Sequence, residues 1–437
     1  MRSSERLLIR SVEVGGTVVD CRIADGRIAE LGVALPVADG ERVLDGAGGA
    51  LIPGLADHHV HVLAAAANRA SVDLGGAPTL DQVDPPDGTT WLRVVAAGAE
   101  LSRDDVDARW PDRPVRVQHR SGALWTLNSR AIDLIGPGLT EAERRTGQLW
   151  RADQRLRTLL QHEPDAAART EADVARVGRD LASFGVTHVT DASPDLDESG
   201  LALIRSAIPQ TVVSMAASGD GPRKIVISDH DVLDVDALTV AARGAHADGR
   251  PVAFHAASAM SLAVALAVFA EAGMMPGDRI EHAAVCDDNA AARLAELGIV
   301  VVTQPTIFAR RRDDFLRESP PEEHASLWRH AGLVRAGVRV VASSDAPYGD
   351  LDPAQTVFAS AQRPGEGMPP AEVLTSYLLG PLDLLGTART LGVGAVADLC
   401  LLASGLDAAL TSAASGAGLG VRATFAGGRQ VFGHGSH

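Results

Sequence analysis

Residues 49–62 read GALIPGLADHHVHV: an apolar run, a Pro-Gly step, a second apolar run, and then three histidines around one valine. Alternation along an extended strand sends His59 and His61 to the same face, where two imidazoles can share one metal ion. A bare His-x-His often arises by chance. Behind Pro53-Gly54 and Asp57, at the close of an apolar run, it marks the carboxyl end of a strand that opens an α/β region.

Downstream the pattern recurs as short apolar runs that end in polar residues and lead into helical stretches. They are VTHVTDAS (186–193), TVVSMAAS (211–218), KIVISDHD (224–231), PVAFHAAS (251–258), DRIEHAAV (278–285), GIVVVTQP (298–305) and VRVVASSDAP (338–347). With the 49–62 segment these make eight strands, the number that closes a parallel (β/α)8, TIM-like barrel. LAVALAVFAEAG and DDNAAARLAELG lie between consecutive strands, as right-handed crossovers require. Two intervals depart from the scheme. His61 to Val186 far exceeds a crossover of about 30 residues, so an inserted subdomain of helices and loops is expected over residues 63–175. AASGDGPR, between the third and fourth strands, is too short for a helix, so either one crossover is missing or the strand count is off by one.

The ends of the chain read differently. LLIRSVEV and TVVDCRIADGRIAELG are short alternating runs, with Asp25-Gly26 as a hairpin turn. VADLCLLAS (396–404) and VRATFAGGRQVFG (421–433) repeat the style. Residues 1–50 and 392–437 are therefore expected to form one composite β-sandwich domain beside a barrel domain spanning 51–391.

Composition narrows the function. At 46% hydrophobic and 22% charged, the 437-residue chain is globular and neither a small scaffold nor disordered, and 3% aromatic content points to aliphatic cores. A net charge of -16 repels nucleic acid and anionic membranes, so neither is an expected partner. The N-terminal MRSSERLLIRSVEV has no continuous apolar stretch for a secretory signal. The apolar run Ser261–Met275 is short for a membrane span and contains Glu271, so it reads as a buried helix. Cys21, Cys286 and Cys400 are widely spaced and offer no disulfide framework. The cytoplasm is the expected location.

Of the 40 basic residues, 39 are arginine and one, Lys224, is lysine. Arginine substitutes for lysine on a solvated surface but not where chemistry needs an amine that can lose its proton; a chance surface lysine is the plainer alternative. Active sites of parallel barrels gather where strands end, which brings His255, His282 and Asp345 into one set with His59, His61 and Lys224. Alone, either His255 or His282 is more often a hydrogen-bonded structural histidine, and Asp345 also fits a helix N-cap. Four histidines and one aspartate suffice for two divalent ions if an anion bridges them. An ammonium cannot ligate, but a buried neutral amine reacts with carbon dioxide to give a carbamate with two oxygens and one negative charge. Asp229 or His230, at the far end of KIVIS, are alternative ligands whose plainer role is a turn and helix cap.

Taken together, PGLADHHVH, RSGALWTLNSRAI, RKIVISD, VAFH, RIEHA, SSDAP and VGAVADL resemble the amidohydrolase superfamily, in its YtcJ-like, amidohydrolase-3 branch related to N-substituted formamide deformylases. The resemblance covers nearly the whole chain and implies metal-dependent hydrolysis on a barrel with a composite β-sandwich. It implies that His59, His61 and Asp345 bind the more buried metal, that His255 and His282 bind the second, and that carboxylated Lys224 and a hydroxide bridge both. Zn²⁺ suits an imidazole-rich site; Mn²⁺, Co²⁺ and Fe²⁺ fit the same ligand types. In that scheme the metals bring the pKa of water to about 7, and Asp345 takes the proton and returns it to the departing nitrogen. The expected substrate is a small molecule with a non-peptide C–N bond: an N-acyl or formyl amide, a carbamate or a cyclic amide. An esterase, lactonase or deaminase would use the same site, and a non-catalytic metal-binding barrel is the alternative from another class.

His119, Arg120, Trp125 and Asn128 in VQHRSGALWTLNSRAI, with Gln304 after the seventh strand, are candidates for substrate contact. An amphipathic helix with Trp125 in its core is the equal alternative, and Ala123 stands where branch members often carry a histidine. Arg310, Arg311 and Arg312 would suit a carboxylate but more often form a solvated helix face. A homodimer is the family's habit.

Overall fold

Strands buried on both faces need apolar residues at successive positions, and the runs named above become such strands. In the computed structural model, which describes residues 6–69, 71–77, 79–81, 91–120, 124–150, 152–160, 166–227 and 233–433, every residue of Leu55–Val60 is buried. Two compact units emerge, Met1–Val62 with Val177–His437, and Leu63–Arg176.

In the larger unit, β1 (Leu55–Val60), β2 (Val186–Asp191) and β3 (Thr211–Ser214) form a parallel sheet in the order β3-β2-β1. A second parallel sheet runs in sequence order through β4 (Arg223–Val226), β5 (Val252–Ala256), β6 (Arg279–His282), β7 (Val300–Thr303) and β8 (Arg339–Ala342). The short interval between the third and fourth strands is a missing crossover. Gly221 N donates to Ser214 O (2.8 Å) in a tight connection, and Lys224 N donates to Met215 O (3.0 Å). At the opposite edges, Asp345 N donates to His59 O (2.7 Å) and His61 N to Ala346 O (2.9 Å). Gly54 lets β1 start close to β2: a Cβ there would lie 2.4 Å from the Thr187 side chain.

The helices follow their strands. Ser261–Met275 is read above as buried, and the helix there, Ala259–Ala272, buries Leu262, Ala265, Val268 and Phe269 against Phe254 and Ile280. No helix among the described residues is long and apolar enough to cross a membrane.

The chain ends build two four-stranded sheets. One orders Arg27–Gly32, Thr17–Ala24, Leu7–Val14 and Arg42–Asp45; the other orders Arg429–Phe432, Val421–Ala426, Leu399–Leu402 and Leu51–Pro53. Leu7, Ile9, Ile23 and Ile28 from the first share an apolar cluster with Leu399, Leu401 and Phe425 from the second. The hairpin turn has Asp25 at φ 51° and Gly26 at φ 74°, the left-handed pair a two-residue turn needs.

The smaller unit corrects the expectation of helices and loops. It contains a five-stranded sheet ordered Gln148–Trp150, Leu124–Leu127, Val115–His119, Leu92–Ala97 and Ser71–Asp73, with short helices such as Arg103–Arg109 and Ser129–Ile135. Its apolar residues come in brief runs, LRVVAA, VRVQH and LWTL, too short to supply a helical stripe but sufficient for strands, the first two runs entering one apolar cluster and the third another.

Candidate metal centre

Parallel strands deliver their last side chains to a common end, and β1, β5, β6 and β8 bring His59, His255, His282 and the segment after Ala342 to one place. His59 Nε2 lies 3.4 Å from Asp345 Oδ1, His61 Nε2 lies 3.3 Å from the same oxygen, and His282 Nδ1 lies 3.8 Å from Asp345 Oδ2. The His255 ring centroid is 4.5 Å from that of His282, which is 5.0 Å from that of His59. Lys224, buried on β4, reaches the same point: its Nζ donates to His59 Nε2 at 3.1 Å. Ligand atoms of His59, His282 and Asp345 all lie within 4.8 Å of one another.

The donor set fits a cation. Glu281 Oε2 accepts from His59 Nδ1 at 2.5 Å and Gln304 Oε1 from His282 Nδ1 at 2.7 Å, so both imidazoles turn the Nε2 lone pair toward the cluster. Histidine ligands commonly receive this kind of support. His282 Nε2 and Asp345 Oδ1 are buried with no hydrogen-bond partner in the protein, and orphaned buried acceptors are costly unless something occupies them. Burial holds His59 well below the usual imidazole pKa and takes His255 down to about 3, which favours the neutral form that ligation requires. Burial also lowers the Lys224 amine, against the pull of Glu281 and Asp345. Asp345 sits below the ordinary carboxylate range because, although burial opposes ionisation, His59 and its neighbours outweigh that effect. The backbone is strained at the same place: His282 (φ 73°) and Asp345 (φ 50°) both adopt left-handed conformations.

Residues 42–432 match the sequence profile described as "Amidohydrolase family". The chain belongs to the amidohydrolase family. Among curated relatives, this amidohydrolase is 24% identical over 466 residues to an N-substituted formamide deformylase of Arthrobacter pascens, covering 83% of this chain and 85% of that one. It is 27% identical over 410 residues to an imidazolonepropionase of Ralstonia nicotianae, covering 88% and 87%. Its fold resembles an uncharacterized metal-dependent hydrolase from Pyrococcus furiosus, with a TM-score of 0.71 and 20% identity over 90% of this chain and 98% of that one.

Other residues singled out in the amidohydrolase sequence take definite places. Gln304 is buried and fully engaged, donating to Val302 O (3.1 Å) and Ser343 Oγ (3.1 Å) while accepting from His282. Asn128 is buried in the smaller unit. Its Oδ1 accepts from Val115 N and Ala131 N, and its Nδ2 donates to Trp110 O and Arg113 O, so it caps the helix Ser129–Ile135. Trp125 is 3% exposed in that unit's core, flanked by the Arg93 and Arg116 guanidinium groups. His119 ends the strand Val115–His119, and Arg120 N donates to Ala97 O (2.9 Å). Arg310 pairs with Asp350 (2.5 Å), Arg311 with Asp314 and Arg312 with Asp313, with all three arginine side chains at least half exposed. Asp229, His230 and Ala123 lie outside the described residues.

Several residues that shape this cluster escape a reading that looks only at strand ends. Glu281 precedes its histidine and is 0% exposed, while Arg279 Nε donates to Glu281 Oε1 at 2.6 Å. Two charges in alternation within a run otherwise read as buried were the available signal. Asp191, which does end its strand, accepts from Val62 N and Ser193 N, and Ser193 Oγ lies 3.0 Å from His61 Nδ1. Asp57 Oδ1 accepts from His59 N and Ser344 N, and burial raises its carboxyl to about 6.

Proposed function

We propose that this amidohydrolase is a metal-dependent enzyme that cleaves a non-peptide C–N bond in a small molecule: an N-acyl or formyl amide, a carbamate or a cyclic amide. The observation that carries the reading is the buried convergence of His59, His282 and Asp345, with an unpartnered nitrogen and an unpartnered carboxylate oxygen at its centre. The names of its relatives, a formamide deformylase and an imidazolonepropionase, agree with C–N chemistry.

In this reading His59, His61 and Asp345 hold one divalent ion, His255 and His282 a second, and a carbamate on Lys224 both. Zn²⁺ is the preferred ion for this donor set. Such ions, when bound, polarise a carbonyl and bring the pKa of water to about 7. Lys224 is suited to its role because burial favours the neutral amine; attack of its nitrogen on carbon dioxide forms an N–C bond and releases one proton. Asp345, ionised and anchored by its backbone to β1, accepts the proton of the attacking water and delivers it to the nitrogen that leaves. Glu281 and Gln304 keep the imidazoles of His59 and His282 from turning. The two parallel sheets, stitched through Asp345–His59 on one side and Lys224–Met215 on the other, are read as one closed eight-stranded barrel over residues 51–391. The terminal sheets, from 1–50 and 392–437, are read as a composite sandwich, and the assembly as a homodimer.

The test is product analysis of the zinc-loaded enzyme on amides, lactones and aminated heterocycles, beside metal analysis. Carboxylate and amine release from amides, lost with the His282→Ala change, supports the reading. Turnover confined to lactones or to ring deamination selects those alternatives, and well under one ion per chain after zinc loading refutes the metal centre.

A further inference from the structure

The chain is 3% aromatic, and four of its five tryptophans, Trp91, Trp110, Trp125 and Trp150, belong to the smaller unit. The fifth, Trp328, stands beside the metal centre, its ring centroid 6.3 Å from that of His282 at 74°. Behind it runs a ladder of planar groups. Trp328 packs on Phe315 (5.8 Å), Phe315 stacks on Phe308 (6.0 Å, 11°), and the Arg363 guanidinium covers Phe308 at 3.7 Å. Arg363 Nη2 also donates to Leu327 O (2.5 Å), which ties the far end of the ladder to the residue before the tryptophan.

Trp328 is 6% exposed and packs in an apolar cluster with Ile307, Phe308 and Leu327, but a core-filling role does not account for its backbone, which is left-handed at φ 48°. The other non-glycine residues with positive φ among those described are Ser11, Asp25, Ala34, Ala47, Ala96 and Ala283, all small or in a turn, together with His282 and Asp345. A bulky side chain in that conformation is strained and persists only where its surroundings over-determine it. They do so here: Trp328 N donates to Ala284 O (2.8 Å), Cys286 N to Ser326 O (2.9 Å), and His330 N to Trp328 O (3.1 Å). Its indole Nε1 is buried without an acceptor, as are those of Trp91 and Trp110, whereas a buried tryptophan ordinarily finds one.

We infer that Trp328 is a specificity-determining residue, a rigid planar wall that favours a flat, unsaturated substituent on the substrate over a saturated one of the same size. The inference rests on the amide-hydrolase reading for its assay but not for its binding test. An aromatic face attracts another aromatic group beyond the area buried, by a factor of about two to ten in affinity.

The experiment compares wild type, Trp328→Phe and Trp328→Leu on N-phenyl and N-cyclohexyl formamide, with metal content measured for each. The expected result is a preference for the phenyl substrate that falls about two- to tenfold in Trp328→Leu, through KM, is largely retained in Trp328→Phe, and leaves metal content unchanged. Equal losses for both substrates, or no preference in the wild type, overturn the proposal. Calorimetric binding of the two compounds to the metal-free chains, which cannot turn them over, repeats the comparison. If nothing is hydrolysed, the amide reading fails while the binding preference still decides the role of Trp328. Should Trp328→Leu not fold, Trp328→Phe carries the test: a preference kept close to that of the wild type supports the planar wall, and its loss refutes it.

Discussion

Replacing Glu281 with glutamine should separate what a buried charge does for folding from what it does for His59 as a proposed metal ligand. The carboxylate accepts from Arg279 Nε (2.6 Å) and from His59 Nδ1 (2.5 Å), with all three side chains at most 1% exposed. Glutamine keeps the shape but removes the charge, leaving the Arg279 guanidinium in the interior without an anion, with His58 O (3.1 Å), Met215 Sδ and at most one amide oxygen as acceptors. Breaking a buried pair in this way costs roughly 3–5 kcal/mol. The amide has one acceptor oxygen for two donors, so His59 also loses orientation, and metal affinity should fall by roughly 10–100-fold. The assays are denaturant unfolding of the metal-free chain and zinc titration against a chromophoric chelator. A paired Arg279→Met, Glu281→Leu variant sharpens the test. Removing both charges should restore most of the stability while zinc affinity stays low, since His59 still lacks its acceptor. Wild-type zinc affinity in the destabilised single variant, or affinity that recovers in the pair, would refute the link between Glu281 and His59.

Three further outcomes follow from the same structure. On the proposed two-ion reading, Lys224→Arg should lower bound zinc toward one ion per chain and remove the carbamate carbon signal expected by NMR after ¹³C-bicarbonate labelling of the wild type; two ions and full activity in the variant would exclude the bridging role. Burial depresses His330 from 6.5 to about 4, so the native state holds fewer protons than the unfolded chain between those values. Its stabilising contribution is complete above pH 6.5 and disappears as the pH falls toward 4, a change of about 3 kcal/mol that should shrink in His330→Leu when unfolding is followed across that range. Asn128→Ala removes a helix cap and strands backbone groups of Trp110, Arg113 and Val115, for about 2–3 kcal/mol, measurable as loss of the smaller unit's thermal stability with zinc content unaltered.

The residues that lie at strand ends were legible because the signal is local: an apolar run followed by histidine or aspartate looks the same in the sequence as in the sheet. His59, His255, His282 and Asp345 announce themselves in that way, and Lys224 stands out because every other basic residue is arginine. The strand-rich smaller unit was misjudged, because its runs are brief and become strands only once neighbouring strands and helices bury them in two apolar clusters. Gln304 and Asn128 carried polar side chains that a linear reading offers to a substrate, whereas folding gives Gln304 to His282 and Asn128 to a helix cap.

What the sequence alone determined is the parallel α/β pattern, the paired terminal strands and the chemical types of the candidate ligands. The tertiary structure decided which nitrogen of each imidazole faces the cluster, that Glu281 and Arg279 support it from behind, and that Trp328 stands beside it. Periodicity and residue chemistry are written within a few consecutive positions, so they survive in the linear chain. Lone-pair direction, desolvation and ring contact depend on atoms brought together from distant positions, so they exist only when the strands are side by side.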